Sequence, residues 1–241
     1  MAGDDTTPEG EQVNIYGNHV GSWNFAATAY LNQWKVKIYY EHYFDDHSQM
    51  FFQYGRWKDG HIGLEITFPK NRFIDTFVYE GLGTKDQTGP MLYDSFWGEF
   101  EEQISAKDNY YNHYLYQGWQ HWGMGIGNPL LPGPIYNKNG QITFISNRVL
   151  AHHIGFCGSP CQSLSYRMLL SYSRHWGTYD NPLNEIKKQF NSLFEVTYAP
   201  QQLKGWSFTV SGAMDRGSML GNNYGGMLVI RKQGIIKSGN K

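Results

Sequence analysis

Apolar and polar residues alternate at every second position along most of this chain, a period that no helix can present. Residues 61–68 show the alternation without interruption, with Ile62, Leu64 and Ile66 separated by glycine or polar residues. Successive side chains of a β-strand point to opposite faces of its sheet, so a period of two is typical of strands with one apolar face. The sequence therefore predicts an all-β, antiparallel fold.

The alternation predicts ten strands, the first of which has only a weak pattern. They lie at residues 12–16, 22–30, 34–44, 61–68, 72–80, 141–156, 162–173, 192–198, 206–214 and 224–232. Residues 181–190 differ, because Leu183, Ile186 and Phe190 follow an Asn-Pro start at helical spacing and predict a short helix. No shift in composition divides the chain. We therefore expect residues 1–11 to be a flexible lead-in and residues 12–241 to form one β-barrel domain.

After the first link, the connections between these strands alternate between short and long. The short ones are residues 31–33, 69–71, 158–161 and 199–204, and the long ones are 45–60, 81–140, 175–189 and 215–223. Strand parity then places all short turns at one end of the sheet. Short periplasmic turns and long external loops are typical of a transmembrane β-barrel of the outer-membrane type. A soluble β-sandwich, which also has one polar face per sheet, stays open as an alternative.

Charge and hydropathy exclude several classes of protein. The formal net charge is −1, which gives no basic patch for nucleic acid. No apolar run approaches the ~18 residues that a membrane helix needs, whereas barrel strands are apolar only at alternate positions. The first residues have neither the basic nor the apolar region of a signal peptide. A helical membrane protein is therefore excluded, and a membrane barrel is not.

The cysteines and acidic residues give no catalytic or metal site. Cys157 and Cys161 are small residues at an expected tight turn, where a disulfide stays open. We assign no metal, because zinc needs four ligands and the adjacent His152 and His153 would point to opposite faces of a strand. No P-loop or dinucleotide fingerprint is present, so no cofactor is expected. The acids of residues 94–102 could supply a glycosidase pair, but adjacent acids in a loop are usually solvated.

Residues 81–140 form a long region rich in aromatic residues and glycine, without an obvious strand. A long connection without regular structure is unusual in a compact domain unless it is functional. Its centre, residues 109–131, reads NYYNHYLYQGWQHWGMGIGNPLL and carries rings suited to stacking on sugars. The alternative is that the region folds inward as a plug packed by its own aromatic side chains. The sequence does not decide between these two roles.

Three stretches, in this order, resemble a known family. They are TKDQTGP at residues 84–90, YYNHYLYQGWQHWGMGIGNPLL at residues 110–131, and the run from NRVLAHHIGF to LSYRMLLSYSRHWGTYDNP at residues 147–182. Together they resemble the C-terminal part of the Wzi family of capsule assembly proteins, outer-membrane β-barrels of Gram-negative bacteria. Members begin with a signal peptide and a longer N-terminal portion, and outer-membrane barrels usually end on an aromatic residue, unlike GIIKSGNK here. We therefore expect the C-terminal part of a longer protein, either as a closed ten-stranded barrel or as part of a larger one.

The resemblance implies an outer-membrane protein, in contact with outer-membrane lipid, that binds capsular or other surface polysaccharide and assists capsule assembly without catalysis. Trp and Tyr rings can stack on the C–H faces of sugars, while amide and imidazole groups bond hydroxyls. The expected carbohydrate-binding residues are Tyr110, Tyr111, Asn112, His113, Trp119, His121 and Trp122. A porin-like transport barrel and a soluble carbohydrate-active β-protein are the alternatives.

Overall fold

A computed structural model describes residues 20–44, 50, 59–71, 73–87, 93–94, 102–103, 107–113 and 118–234. The expected lead-in, the expected strand at residues 12–16 and the acids Glu99 and Glu101 lie outside these residues. Within the described residues, no helix has the length and apolar character needed to cross a membrane.

The described chain is all-β, as the alternation predicts. Its strands are β1 Gly21–Leu31, β2 Trp34–Phe44, β3 Gly60–Thr67, β4 Thr76–Gly83, β5 Tyr93–Asp94, β6 Glu102–Gln103, β7 Gln120–His121, β8 Met124–Gly125, β9 Val149–Cys161, β10 Leu164–Gly177, β11 Pro182–Tyr198, β12 Trp206–Gly217 and β13 Asn223–Lys232. A short 3-10 helix, Pro134–Tyr136, lies between β8 and β9.

Nine of these strands form one antiparallel sheet in the order β1-β2-β3-β4-β9-β10-β11-β12-β13, and β5-β6 and β7-β8 form separate two-residue pairs. Each long strand pairs with the next long strand in the chain, and β9 lies beside β4 although residues 84–148 separate them. Strands β1 and β13 are the two edges, and no pairing within the described residues joins them. The observed arrangement is therefore a meander, with the longest insertion at its middle.

The expected helix at residues 181–190 is wrong, because this segment is the first half of β11. Phe190 pairs with Tyr172 on one side and with Arg216 on the other, so both neighbouring strands hold the backbone extended. Three apolar residues over ten positions match a helical spacing by chance. Backbone pairing on both sides outweighs so weak a local preference.

Two other sequence expectations also need correction. Strand β11 shortens the expected long connection to residues 178–181, so short and long connections do not alternate strictly. Residues 141–148 lie outside the sheet, and the turn expected at residues 158–161 is replaced by residues 162–163, because β9 continues to Cys161. The two longest connections, residues 45–59 and 84–148, do leave the same end of the sheet, called here the loop end.

One face of the sheet is apolar and exposed. This apolar belt comprises the exposed residues Trp23, Phe25, Ile38, Ile62, Ile154, Phe194, Val210 and Leu228 together with the half-buried Leu170. The exposed fractions are 54% for Ile38 in β2, 61% for Val210 in β12 and 65% for Leu228 in β13, so the exposure extends across the sheet. A water-soluble antiparallel sheet normally packs its apolar face against a core.

The opposite face carries the ion pairs between neighbouring strands. Lys35 and Glu65 form an ion pair at 3.4 Å between Nζ and Oε1, and Arg167 and Glu195 form another at 3.3 Å between Nη2 and Oε1. His61 lies between two glutamates of the neighbouring strands. The exposed apolar side chains and these ion pairs thus lie on opposite faces of the sheet.

The small hydrophobic core lies at the loop end of the polar face. Leu82 of β4 and Val149 and Ala151 of β9 form its floor, and Tyr111 and Phe144 come from the long insertion together with Leu131. Residues 107–113 and 118–148, called here the loop layer, therefore cover the polar face at this end. This observation favours the inward-folded alternative for the insertion.

Candidate functional site

The side-chain amide of Asn147 fixes the start of the loop layer. Its Nδ2 donates to the carbonyl oxygen of Tyr110 at 2.8 Å and to Oδ1 of Asn109 at 2.5 Å. Its Oδ1 accepts a hydrogen bond from Nε2 of Gln87 at 2.7 Å. Asn147 is fully buried, so these bonds replace water that the amide cannot reach. They join the two ends of the described loop layer, at Asn109 and at Asn147, to each other and to Gln87 in the segment that follows β4.

A buried carboxyl group makes a second attachment. The hydroxyl of Tyr110 donates to Oδ2 of Asp59 at 2.9 Å, and the backbone N–H of Asp86 donates to Oδ1 at 3.0 Å. Burial raises the pKa of Asp59 to about 6, although both hydrogen bonds act in the opposite direction by stabilising the carboxylate. Ionisation of this group is therefore less favourable in the folded protein than in water.

Tyr110 and Tyr111 are packing residues in this conformation, with only 4% and 9% of their surface exposed. The Tyr111 ring stacks on Trp119 at 5.5 Å between centroids and meets Phe144 edge-on at 5.3 Å. Its hydroxyl accepts the backbone N–H of Asn128 at 3.0 Å. Neither tyrosine ring presents a face on which a sugar could stack, so their expected role in binding stays a prediction that needs the rings to be uncovered.

Asn112 uses its amide to bind the backbone of another segment. Its Oδ1 accepts the N–H of Phe144 at 2.8 Å, and its Nδ2 donates to the Phe144 carbonyl at 2.9 Å. The side chain thus imitates one step of a β-ladder and holds residues 140–145 beside residues 109–113. This pairing forms one wall of a cleft.

The cleft, called here the amide cleft, has a volume of about 990 Å³ and opens at the loop end. It is lined by Asn109, Asn112, His113, Gly140, Gln141, Ile142, Thr143, Phe144, Ile145, Thr178, Asn181 and Leu183. None of these residues is Asp, Glu, Lys or Arg, and His113 is the one titratable side chain among them. The cleft therefore has no carboxyl pair of the kind that a glycosidase uses.

Amides and aliphatic groups give the cleft its chemistry. The side-chain amides of Gln141 and Asn181 are exposed and have no hydrogen-bond partner among the described residues. Ile142, with 54% of its surface exposed, and Leu183 supply apolar surface beside them. An amide offers both donors and an acceptor, which is what a hydroxyl group requires. The cleft can therefore bind an uncharged ligand rich in hydroxyl groups.

Two other expected residues lie at the tip of the β7–β8 hairpin. Trp122 and Gly123 occupy the turn with φ values of 53° and 79°, the positive values that a tight two-residue hairpin turn of this kind needs. Trp122 is 86% exposed, and its ring meets His121 edge-on at 6.3 Å between centroids. A bulky residue in a left-handed conformation is unfavourable, and such outliers occur preferentially at functional sites.

The seven expected residues therefore fall into three groups. Asn112 and His113 line the amide cleft, and His121 and Trp122 form the hairpin tip. Tyr111 and Trp119 pack in or against the core, and Tyr110 is buried. The sequence analysis missed Gln141, Thr178 and Asn181. The bond from the Asn181 N–H to Oγ1 of Thr178, at 2.9 Å, belongs to a tight turn that the expected helix concealed.

The described residues contain no group of three or more His, Cys, Asp or Glu side chains placed to hold a metal ion. Both cysteines are free thiols. Comparison with protein families, with curated proteins and with solved structures gave no match.

Proposed function

We propose that this chain is part of an outer-membrane β-barrel that binds capsular or another surface polysaccharide at its loop end and assists capsule assembly and attachment without catalysis. The observation that carries the proposal is the amide cleft, an uncharged hydrogen-bonding surface at one end of a sheet whose apolar side chains are exposed.

The apolar belt supports the membrane part of this proposal. Removing apolar surface from water stabilises a protein by about 25 cal/mol of free energy for every Å² buried. Contact with lipid would bury all the side chains of the apolar belt. Outer-membrane barrels are apolar outside and polar inside, and one apolar and one polar face on this sheet support closure in that sense. Closure into a barrel, alone or with further strands, would also pair the open edges of β1 and β13.

The loop layer supports polysaccharide binding over free passage of solutes. Its core packs on the polar face at the loop end, the position at which a porin-like barrel would be open. The cleft amides can bond sugar hydroxyls, and the exposed ring of Trp122 offers an apolar face for a sugar. A few placed polar groups beside apolar surface are the usual composition of a ligand site.

Binding of purified capsular polysaccharide to the folded chain in detergent micelles, measured by titration calorimetry, tests the proposal. We expect Gln141→Ala with Asn181→Ala to weaken binding about tenfold or more, since each lost hydrogen bond contributes about 0.5–1.5 kcal/mol. The matched control is Asn184→Ala, an exposed amide on β11 that does not line the cleft.

The control should leave affinity unchanged within about twofold, because surface substitutions away from a site usually cost less than 0.5 kcal/mol. Polysaccharide binding that is equal in the wild type and the double variant would refute the role of the cleft. Conductance of small ions by the chain in planar bilayers, without polysaccharide binding, would instead support the porin-like alternative.

A further inference from the structure

Positive charge is concentrated on the apolar side of the sheet at its loop end. This rim patch consists of Lys85, Arg148, Arg174, Lys188 and Arg216. Arg174 shares the strand parity of Leu170 in the apolar belt, and its register partner in β11 is Lys188. Arg216 pairs with Phe190 on the same face. Arg174, Lys188 and Arg216 therefore lie on the neighbouring strands β10, β11 and β12, where the belt ends, whereas Lys85 follows β4 and Arg148 precedes β9.

The pairing of Arg174 with Lys188 is unfavourable by itself. Like charges directly opposite each other in an antiparallel pair repel, and opposite charges would contribute about 0.2–1 kcal/mol there. None of the five cations of the rim patch forms an ion pair with a carboxylate in the described part of the chain. The patch thus carries positive charge that no ion pair within the described residues neutralises.

Two aromatic residues organise the cations. The Arg174 guanidinium lies 5.4 Å and the Lys85 ammonium 5.5 Å from the ring centre of Trp176. Arg148 lies 3.9 Å over the ring of Tyr179, and its Nε donates to the Lys85 carbonyl at 3.1 Å. The backbone N–H of Trp176 donates to the Arg148 carbonyl at 3.0 Å, which keeps the two side chains adjacent. These contacts orient the guanidinium groups of Arg148 and Arg174. A guanidinium group can donate two parallel hydrogen bonds to a phosphate.

We propose that the rim patch binds the phosphate of a phosphorylated lipid headgroup in the leaflet at the loop end. This inference rests on the proposed membrane location, because only then does the end of the apolar belt meet the headgroup layer. Trp and Tyr are enriched at that level of a barrel, and Lys and Arg clusters there attract anionic lipid. The patch lies on the face opposite the polar side chains and so complements a headgroup beside the sheet.

The test is native mass spectrometry of the full chain folded in dodecyl maltoside, titrated with dioleoyl phosphatidic acid and with dioleoyl phosphatidylcholine. We expect Arg174→Gln with Lys188→Gln to lower the affinity for phosphatidic acid about 30-fold, which corresponds to about 1 kcal/mol per cation. Lys188→Gln with Arg216→Gln changes two exposed side chains and should give a similar loss if the first variant folds poorly.

The matched control is Lys204→Gln with Lys232→Gln at the opposite end of the sheet. Lys232 also lies over a tryptophan, 5.4 Å from the ring centre of Trp206. The control should change affinity less than about twofold. Equal losses from both ends of the sheet, equal wild-type affinity for the two lipids, or displacement of the lipid by equimolar inorganic phosphate would each overturn the inference.

The same samples separate this inference from the function on which it rests. A chain whose mobility on a gel does not change on boiling (no heat-modifiable band), and which binds no polysaccharide, overturns both proposals. A chain that gives this band and binds polysaccharide, but does not prefer phosphatidic acid, overturns the lipid site alone.

Discussion

Leu169 and Leu170 are adjacent in the middle of β10 and point to opposite faces of the sheet. Leu170 belongs to the apolar belt and pairs with Ile154, whereas Leu169 lies on the polar face beside Gly155. Changing each in turn to Arg introduces the same side chain at the same height of the same strand. The pair therefore tests the proposal that the face carrying Leu170 is in contact with lipid.

The magnitude follows from the two environments. An arginine at the middle of a lipid-facing strand costs about 2–4 kcal/mol, because the charge must be moved to the interface or hydrated locally. A surface change in water costs about 0.5 kcal/mol or less, and Leu169 already has 39% of its surface exposed on a face that carries charged residues. We expect Leu170→Arg to reduce the free energy of unfolding by about 2–4 kcal/mol and Leu169→Arg by under about 1 kcal/mol.

The assay is equilibrium unfolding in urea of the full chain folded in phosphatidylcholine vesicles, followed by tryptophan fluorescence and by the heat-modifiable band on a gel. Equal costs for the two variants would show that the apolar belt is not in lipid. If Leu169→Arg lowered the free energy of unfolding more than Leu170→Arg, the face that carries Leu169 would be the one removed from water. The reasoning from face polarity would then be refuted.

Three further predictions concern the loop layer. Burial raises the pKa of Asp59 from 3.8 to about 6, so the neutral form stabilises the fold fully below about pH 4, and this stability is lost as the pH rises through 6. Asp59→Asn should remove this pH dependence of the free energy of unfolding, which amounts to about 3 kcal/mol between pH 4 and pH 7 and is measured by urea titration at each pH. An unchanged slope of the free energy of unfolding against pH would contradict the prediction. Gly133→Ala should cost about 1–3 kcal/mol, because its Cβ would lie 2.5 Å from a backbone nitrogen, whereas Gly118→Ala meets nothing within 4 Å and should be neutral in thermal melts. Asn147→Ala should leave the buried amide of Gln87 without its acceptor and lower the melting temperature, and a melting temperature equal to the wild type would argue against its structural role.

Much of the sheet could be predicted because its strands carry their own signal. Strand β2 has the predicted bounds, Trp34–Phe44, and β3 begins one residue earlier than expected. Alternation reports local geometry alone, so it identifies a strand wherever one face is apolar. Alternation does not predict the length of a strand when pairing with the neighbouring strands determines that length. Strand β11 has 17 residues, and its first half is held by pairing with β10 that no local pattern encodes.

The candidate site was predictable as a segment and not as individual residues. Tyr111 and Trp122 are both aromatic, both have positive φ and lie in the same insertion, yet one is 9% and the other 86% exposed. The difference arises from Phe144, which is distant in sequence and packs on Tyr111. Spacing within residues 109–131 contains no information about that contact, so the sequence could not separate core rings from exposed ones.

The polarity of the two faces explains why the loop layer lies where it does. An insertion with buried aromatic residues needs an apolar surface to pack on. On the polar face that surface lies at the loop end, where Leu82, Val149 and Ala151 are apolar. Thr84 joins this floor to the layer, since its hydroxyl donates to the Asn147 carbonyl at 2.6 Å and accepts the Val149 N–H at 3.0 Å. The amide cleft is therefore attached to β4 and β9, the two strands between which the insertion begins and ends. A ligand that orders the cleft should also protect these two strands from hydrogen exchange, and protection confined to the hairpin tip would separate the cleft from the sheet.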